Sequence, residues 1–405
     1  MIRSFDLSRR GLLAAGVSVA FYAGAARAEA GDNKKLVVFI QRGGADGLSV
    51  SPPIGDSNYA FLRGEIAIPV ADALKLDNDF ALHPKLTAIH ALAMKGEARI
   101  APAVAIPNNQ RSHFEAQDVL ESGVPQVYGS TSGWLNRTLA AMAGRKVEGM
   151  SIGPQAPLIL RGPIQAASWS PGPVNRGDRL PMILSDLYQH DAVLSRAFAS
   201  GLETEAMAAT ATAATMTGAG PARPAAAAAA QGAAANVQAK QLGGQIAGFM
   251  VQPNGPQIVA VSIDGWDTHA NQGATEGTLA GRLAYLDAVV DGLSTGLGAE
   301  WKNTLCVSVT EFGRTAKVNG TRGTDHGTGS TALVMGGALK RGGILGDWPG
   351  LANNKLFEGR DLASSMDVRS LFKGVLADHL GIDKRQLDSA VFPDSAAIKP
   401  LASIV

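Results

Sequence analysis

The sequence predicts an α/β fold built on an open, mostly parallel sheet, and three observations carry that expectation. Continuous apolar runs of strand length recur along the chain, each breaks into a polar or Gly- and Asp-rich turn, and helical patterns follow several of them. Runs that are continuous rather than alternating suit strands covered on both faces.

The first run, Lys35 to Gln41 (KLVVFIQ), ends in the turn Gly43-Gly44-Ala45-Asp46-Gly47. The second, Arg99 to Ile106, leads through Pro107-Asn108-Asn109-Gln110 into a helix over Ser112 to Glu121. The third, Gln257 to Ile263, precedes Asp264-Gly265-Trp266-Asp267-Thr268-His269 and a helix over Thr278 to Leu297. The fourth, Thr304 to Thr310, runs into Glu311-Phe312-Gly313-Arg314. Leu333 to Gly337 adds a strand, and Asp367 to Leu380 spaces its apolar residues as a docked surface helix does. Ligands of such sheets bind in the crevice outside the carboxyl ends of the strands, so the polar residues of these turns are expected to converge.

Bulk properties narrow the function. A chain of 405 residues with 46% hydrophobic and 18% charged content can bury a full core, and one domain over residues 34–400 is the expectation. The net charge of +1, from 36 basic and 35 acidic residues, leaves no footprint for nucleic acid or an anionic membrane. The lone cysteine, Cys306, excludes an internal disulfide and lies in an apolar run that predicts burial. Residues 1–28 read as a twin-arginine signal peptide: Arg9-Arg10, an apolar stretch from Gly11 to Ala26, then the small-residue triplet ending at Ala28. The implied partner is the twin-arginine translocase, the implied location periplasmic or extracellular, and no later segment is apolar enough to span a membrane. Residues 203–244 are alanine-rich and broken by Gly and Pro, the composition of a surface insertion or linker with helical flanks.

Phosphate-loop, HExxH and CxxC signatures are absent. Gly149-Met150-Ser151-Ile152-Gly153 matches the pattern of a nucleophile elbow, but Pro154 and Pro157 follow where that motif needs a helix. The stronger signal is the set of Asp and His residues at strand ends: Asp264, Asp267 and His269 in one turn, Asp325 and His326 in a glycine-rich loop. Mixed carboxylate and imidazole donors suit zinc, manganese or iron better than calcium. Each Asp alone has an ordinary alternative, since Asp closes turns through its own backbone. Ser112 reads either as a helix N-cap or as a nucleophile beside a metal, with Arg111 or the helix N-terminus holding an anion. Glu311 and Arg314 read as a ligand and an anion clamp, or as an ion pair on a loop. Helix-surface or half-buried positions suffice for His83, His90, His190 and His379.

The strings FIQRGGADGLSV, NQRSHFEAQDVLESG, DGWDTHANQ, VTEFGRT, GTDHGTGS and GDWPGL, in that order, resemble family number 1501 of domains of unknown function, across nearly the whole chain after the signal. That family is grouped by resemblance with the alkaline phosphatase and sulfatase superfamily. The resemblance implies an alkaline phosphatase-like three-layer α/β/α sandwich and a site with one or two divalent ions, zinc or manganese, flanking a nucleophile. By position, Asp46 resembles the early carboxylate and Ser112 the nucleophile. Asp264 or Asp267, with His269 and His326, resembles the first metal site. Glu311-Phe312 stands where Asp-His is usual, which removes one imidazole; His113, beside Ser112, is a substitute. Ser112 is not the Cys that sulfatases convert. Two readings follow: an exported metal-dependent hydrolase of phosphate or related sulfate or phosphonate esters, acting on an anionic small-molecule or envelope substrate, or a non-catalytic envelope binding or assembly protein that retains part of the site.

Overall fold

The structure is a computed structural model, and it describes residues 33–143, 147–153, 156–170 and 227–405, together with residues 193, 196, 201, 204 and 207. The expected signal peptide, His190 and most of the alanine-rich segment's first half lie outside the described residues. Eleven strands are described: β1 Lys35–Arg42, β2 Leu74–Lys75, β3 Ala81–Leu82, β4 Ala98–Ala105, β5 Gly149–Ile152, β6 Ala167–Trp169, β7 Ile258–Asp264, β8 Thr304–Val309, β9 Ser330–Met335, β10 Gly343–Ile344 and β11 Met366–Asp367. The helices that matter here are α1 Gly47–Val50, α2 Tyr59–Arg63, α3 Thr87–Met94, α4 His113–Ser122, α5 Trp134–Ala141, α6 Ala227–Met250, α7 Thr278–Leu297 and α8 Val368–Asp378.

The main sheet runs β10-β4-β9-β8-β1-β7-β5-β6, with β11 also paired to β4. Pairings are parallel except those of β9, which lies antiparallel between β4 and β8. β1 is central and buried along almost its whole length, pairing in parallel with β7 on one side and β8 on the other. That position accounts for its unbroken apolar run, because both faces of the strand are covered.

Successive residues of a strand point to opposite faces, and here they feed two separate cores. Leu36, Val38 and Ile40 pack with residues of α4, α5 and α8, whereas Val37 and Phe39 pack with residues of α3, α6 and α7. Helices therefore cover both faces, giving the three-layer α/β/α sandwich that the resemblance implies. Cys306 is buried in the second core, which pushes its thiol up. Ser151 is buried within β5, so the G-x-S-x-G match is a strand and not an elbow. α6 covers the end of the alanine-rich segment, and its C-terminal half is packed against α7.

His379 differs from its expected half-exposed position. It is buried at the C-terminal end of α8, where Nε2 donates to the carbonyl of Lys35 at 2.9 Å and ties that helix to the start of β1. Burial pushes its pKa down to about 4 from 6.5. In the unfolded chain the imidazole protonates first, so the native state loses stability as pH falls from about 6.5 towards 4. The expected loss is about 3 kcal/mol, and His379→Gln, which keeps a donor but cannot titrate, should flatten that part of the pH–stability curve measured by urea unfolding.

Candidate metal centre

The loops after β1, β4, β7 and β8 meet at one edge of the sheet, and their meeting depends on close backbone approach. Gly44 has φ +69°, and a Cβ there would sit 2.3 Å from the ring of Phe312. Gly43 has φ +124°, and a Cβ there would sit 2.6 Å from the amide nitrogen of Asp267. Glycine lets the loop after β1 slide under both neighbours.

Four side chains converge above these loops. Among the described residues, His113, Asp267 and His326 form the group able to hold a metal ion, with one donor atom from each lying within 4.8 Å of the others. His269 extends it: its Nε2 lies 2.9 Å from Nε2 of His326 and 3.0 Å from Oδ1 of Asp267. His113 Nε2 lies 3.3 Å from Oδ2 of Asp267, yet it is buried and makes no hydrogen bond. A buried imidazole nitrogen left unpartnered and aimed at a carboxylate fits a cation between them.

The other nitrogen of each imidazole is held from behind. His326 Nδ1 donates to the carbonyl of Arg111 at 2.8 Å. A carbonyl can only accept, so Nε2 of His326 carries the lone pair. His113 Nδ1 contacts Oε1 of Glu311 at 2.9 Å, and His269 Nδ1 faces Oδ1 of Asp325 at 3.4 Å. Carbonyl and carboxylate partners behind ligating imidazoles fix the tautomer and raise ligand basicity.

Electrostatics agree with this assignment for Asp267 and His326, whereas at His113 a cation would have to displace a proton that Glu311 helps to hold. Burial opposes ionisation of Glu311, but hydrogen bonds from His113, Gln117 and Gly43 outweigh it and hold its pKa below 4.5. The hydrogen bond to Glu311 in turn raises the pKa of His113, against the effect of burial. Burial lowers the pKa of His326 and so favours the neutral ligand form. For Asp267, burial is outweighed by the Arg314 guanidinium and nearby imidazoles, which keep it ionised.

Of the residues singled out in the sequence, Asp267, His269 and His326 come together. Asp325 and Glu311 stand behind the cluster, orienting His269 and His113. Asp264 sits apart, exposed on the wall of a neighbouring cavity. Asp46 is buried away from the cluster, engaged by Arg63, by Ser49 Oγ at 2.9 Å and by Gln272 Nε2 at 2.6 Å.

The two arginines have occupied guanidinium groups. Arg314 is buried and donates to the carbonyls of Gly44 at 2.6 Å and Gly43 at 2.5 Å, and to Asp267 Oδ1 at 2.5 Å. It straps three loops together rather than facing a ligand. Arg111 is paired with Asp361 at 2.6 Å and Glu358 at 2.7 Å, and its service to the cluster is the carbonyl that holds His326. Ser112 is exposed at the N-cap of α4, and its hydroxyl makes no capping hydrogen bond.

His113 is the ligand-set member that Asp/His spacing underrated. Phe312 packs against both its ring and that of His326, with centroids 4.8 and 4.6 Å away, while the two imidazoles touch each other at 4.5 Å. His113, at the start of α4, thus stands beside position 312, where the resemblance expects an imidazole. The legible signal was a histidine opening a helix directly after a strand.

Fold and cluster define an α/β/α sandwich protein with a candidate metal centre at the edge of its sheet. The chain belongs to the family described as Protein of unknown function (DUF1501), which matches residues 33–391. No curated protein matches it. Among solved structures it is similar to the zinc complex of the C-terminal periplasmic domain of EcEptC from Escherichia coli, with 10% identity, TM-score 0.36, and coverage of 76% of this chain and 74% of that one. It is also similar to the lipoteichoic acid synthase LtaP from Listeria monocytogenes, with 8% identity, TM-score 0.39, and coverage of 90% and 76%. The phosphonate monoester hydrolase of Agrobacterium radiobacter matches at 14% identity, TM-score 0.36, and coverage of 86% and 74%. Likenesses this distant carry no argument about function. Among the described residues no helix is long and apolar enough to cross a membrane.

Proposed function

We propose that this protein is an exported metal-dependent hydrolase of phosphate or related sulfate or phosphonate esters. The observation that carries the proposal is the unpartnered, buried Nε2 of His113 converging on Asp267 and His326. His113, His326 and Asp267 would hold a divalent ion, zinc or manganese, and His269 would complete the set. Such an ion, when bound, polarises an ester oxygen and stabilises the oxygen that leaves.

The chain's own residues supply the rest. Ser112 offers an uncommitted hydroxyl one residue before His113, the role of nucleophile. Its oxygen bonds to the phosphorus or sulfur as the alcohol oxygen departs with the bonding electrons and takes a proton; water then releases the acid and restores the hydroxyl. Because Arg111 and Arg314 are already paired, the amides at the N-terminus of α4 are the groups placed to steady the anion. Export rests on residues 1–28.

A second reading, a non-catalytic binding or assembly protein of the envelope, is favoured by the single group of candidate ligands among the described residues, where the resemblance implies one or two ions.

Elemental analysis of the purified protein tests the first step. Wild type should carry close to one equivalent of transition metal, and folded His113→Ala and His326→Ala should carry almost none. Hydrolysis of 4-nitrophenyl phosphate, sulfate and phenylphosphonate esters then separates the readings. Ser112→Ala should lower turnover by about a thousandfold with metal retained. A wild type that takes up neither zinc nor manganese ends the hydrolase reading; bound metal without turnover of any ester favours the binding protein.

A further inference from the structure

We propose that the cavity beside α4 is a subsite for a neutral sugar unit, which would form the alcohol side of the ester; that role rests on the hydrolase reading, whereas the binding itself does not. The cavity has a volume of about 520 Å³, within the usual range for small-molecule sites. Phe114 and Asp264 line it, and they stand one residue from His113 and three from Asp267. Gln117 also lines it, and donates at 3.0 Å to the Glu311 carboxylate that holds His113. A molecule with its reacting group at the cluster would therefore reach this cavity next.

Three features select the occupant. First, Phe114 and Tyr128 are 81% and 69% exposed, and both line this one cavity. Two exposed aromatic rings on one cavity present flat apolar faces with a polar tip on Tyr128, and such faces suit the C–H face of a pyranose ring. Tyr128 is also held at φ +55° by its amide, which donates to Asp118 at 2.7 Å. Backbone in that region is disfavoured for an aromatic residue, so the rim is built against local preference.

Second, the polar groups left open are those that pair with hydroxyls. The backbone of Asp264 belongs to the β1–β7 ladder, and its carboxylate makes no hydrogen bond or ion pair among the described residues. Arg161 spends Nε and Nη2 on the carbonyl of Ala156, leaving Nη1 to donate. One acceptor and one donor across a cavity match a vicinal diol.

Third, the charge balance disfavours an anion. Two guanidinium groups, Arg42 and Arg161, face three carboxylates, Asp118, Glu121 and Asp264. Arg42 is moreover taken up by Glu121 and by Gln117, the latter at 2.9 Å. A second anionic group would meet net negative surroundings, whereas a neutral polyol would not.

Saturation-transfer difference NMR on the full protein, with maltotriose and N,N′-diacetylchitobiose as neutral probes and glucuronate as the charged control, tests this. At least one neutral probe should receive saturation at its ring protons, more than glucuronate does. Phe114→Ala and Tyr128→Asn, the latter chosen because Asn tolerates positive φ, should each cut the transfer about fivefold while melting like wild type. Treating the wild-type protein with a chelator should leave the transfer unchanged, so that loss of metal and loss of the sugar site are read separately. No transfer to either neutral probe, equal transfer to glucuronate, or transfer undiminished in both rim variants overturns the proposal, whatever the metal content.

Discussion

Arg63→Met is expected to destabilise the fold by about 3–5 kcal/mol, because it strands a carboxylate in the interior. The guanidinium of Arg63 and the carboxylate of Asp46 are both fully buried and in direct contact. Arg63 also donates to Ser49 Oγ at 3.0 Å and reaches the carbonyls of Thr315 and Ala316 at 3.3 and 3.4 Å. Methionine fills similar volume but leaves Asp46 with only Ser49 and Gln272. Adding Asp46→Asn should recover a substantial part of the loss, since the penalty of breaking such a pair is mainly that of the uncompensated charge. Urea unfolding of the two variants and wild type measures both effects. A single-variant loss below about 1 kcal/mol would mean that water reaches Asp46.

The same network reaches the metal loops. Gln272 donates to Asp46 while its Oε1 accepts from Thr268 Oγ1 at 2.8 Å and Thr324 Oγ1 at 2.9 Å. Thr268 lies between Asp267 and His269, and Thr324 precedes Asp325 and His326. Asp46 therefore works through Gln272 on the loops that carry three of the four converging residues, and Arg63→Met should weaken metal retention as well as stability.

How much of this was legible in the sequence follows from what each part depends on. The central strands were readable because a strand covered on both faces carries a nearly continuous apolar run, as Leu36–Ile40 of β1, Ile258–Val261 of β7 and Leu305–Val307 of β8 do. β9 begins at Ser330, three residues before its apolar run, because its first residues are buried by turns that only the folded chain brings near. The two-residue strands β10 and β11 carry no pattern at all. At the site, Asp and His at strand ends marked the right edge of the sheet, but not which of them would meet. Asp46 and Asp267 look alike in sequence, each in a turn that follows a strand and contains glycine. The difference is Arg63, which lies on α2 and captures the first, and Arg314, which reaches the second without enclosing it. Phe312 looked like a loss because the compensating imidazole, His113, comes from another strand end some two hundred residues earlier.

Glu311 gives the sharpest test of the metal cluster itself, because it touches His113 without being a member of the ligand group. Its Oε1 accepts from Gly43 N–H at 2.8 Å, Gln117 Nε2 at 3.0 Å and His113 Nδ1 at 2.9 Å. Glu311→Ala removes all three contacts in a buried place, at a cost of about 1–3 kcal/mol for each group left unsatisfied. It also frees the His113 ring to turn, so metal affinity should fall by about a hundredfold. Glu311→Gln separates the two causes. An amide oxygen can still accept from the same donors, so the fold should be largely retained, but the negative charge that makes Nε2 of His113 a stronger donor is gone. Zinc affinity, measured by chelator competition, should then fall by about tenfold with little change in urea midpoint. If Glu311→Gln binds zinc as tightly as wild type, the carboxylate matters only as scaffolding. If it loses affinity while keeping its stability, the charge behind His113 is part of the metal site.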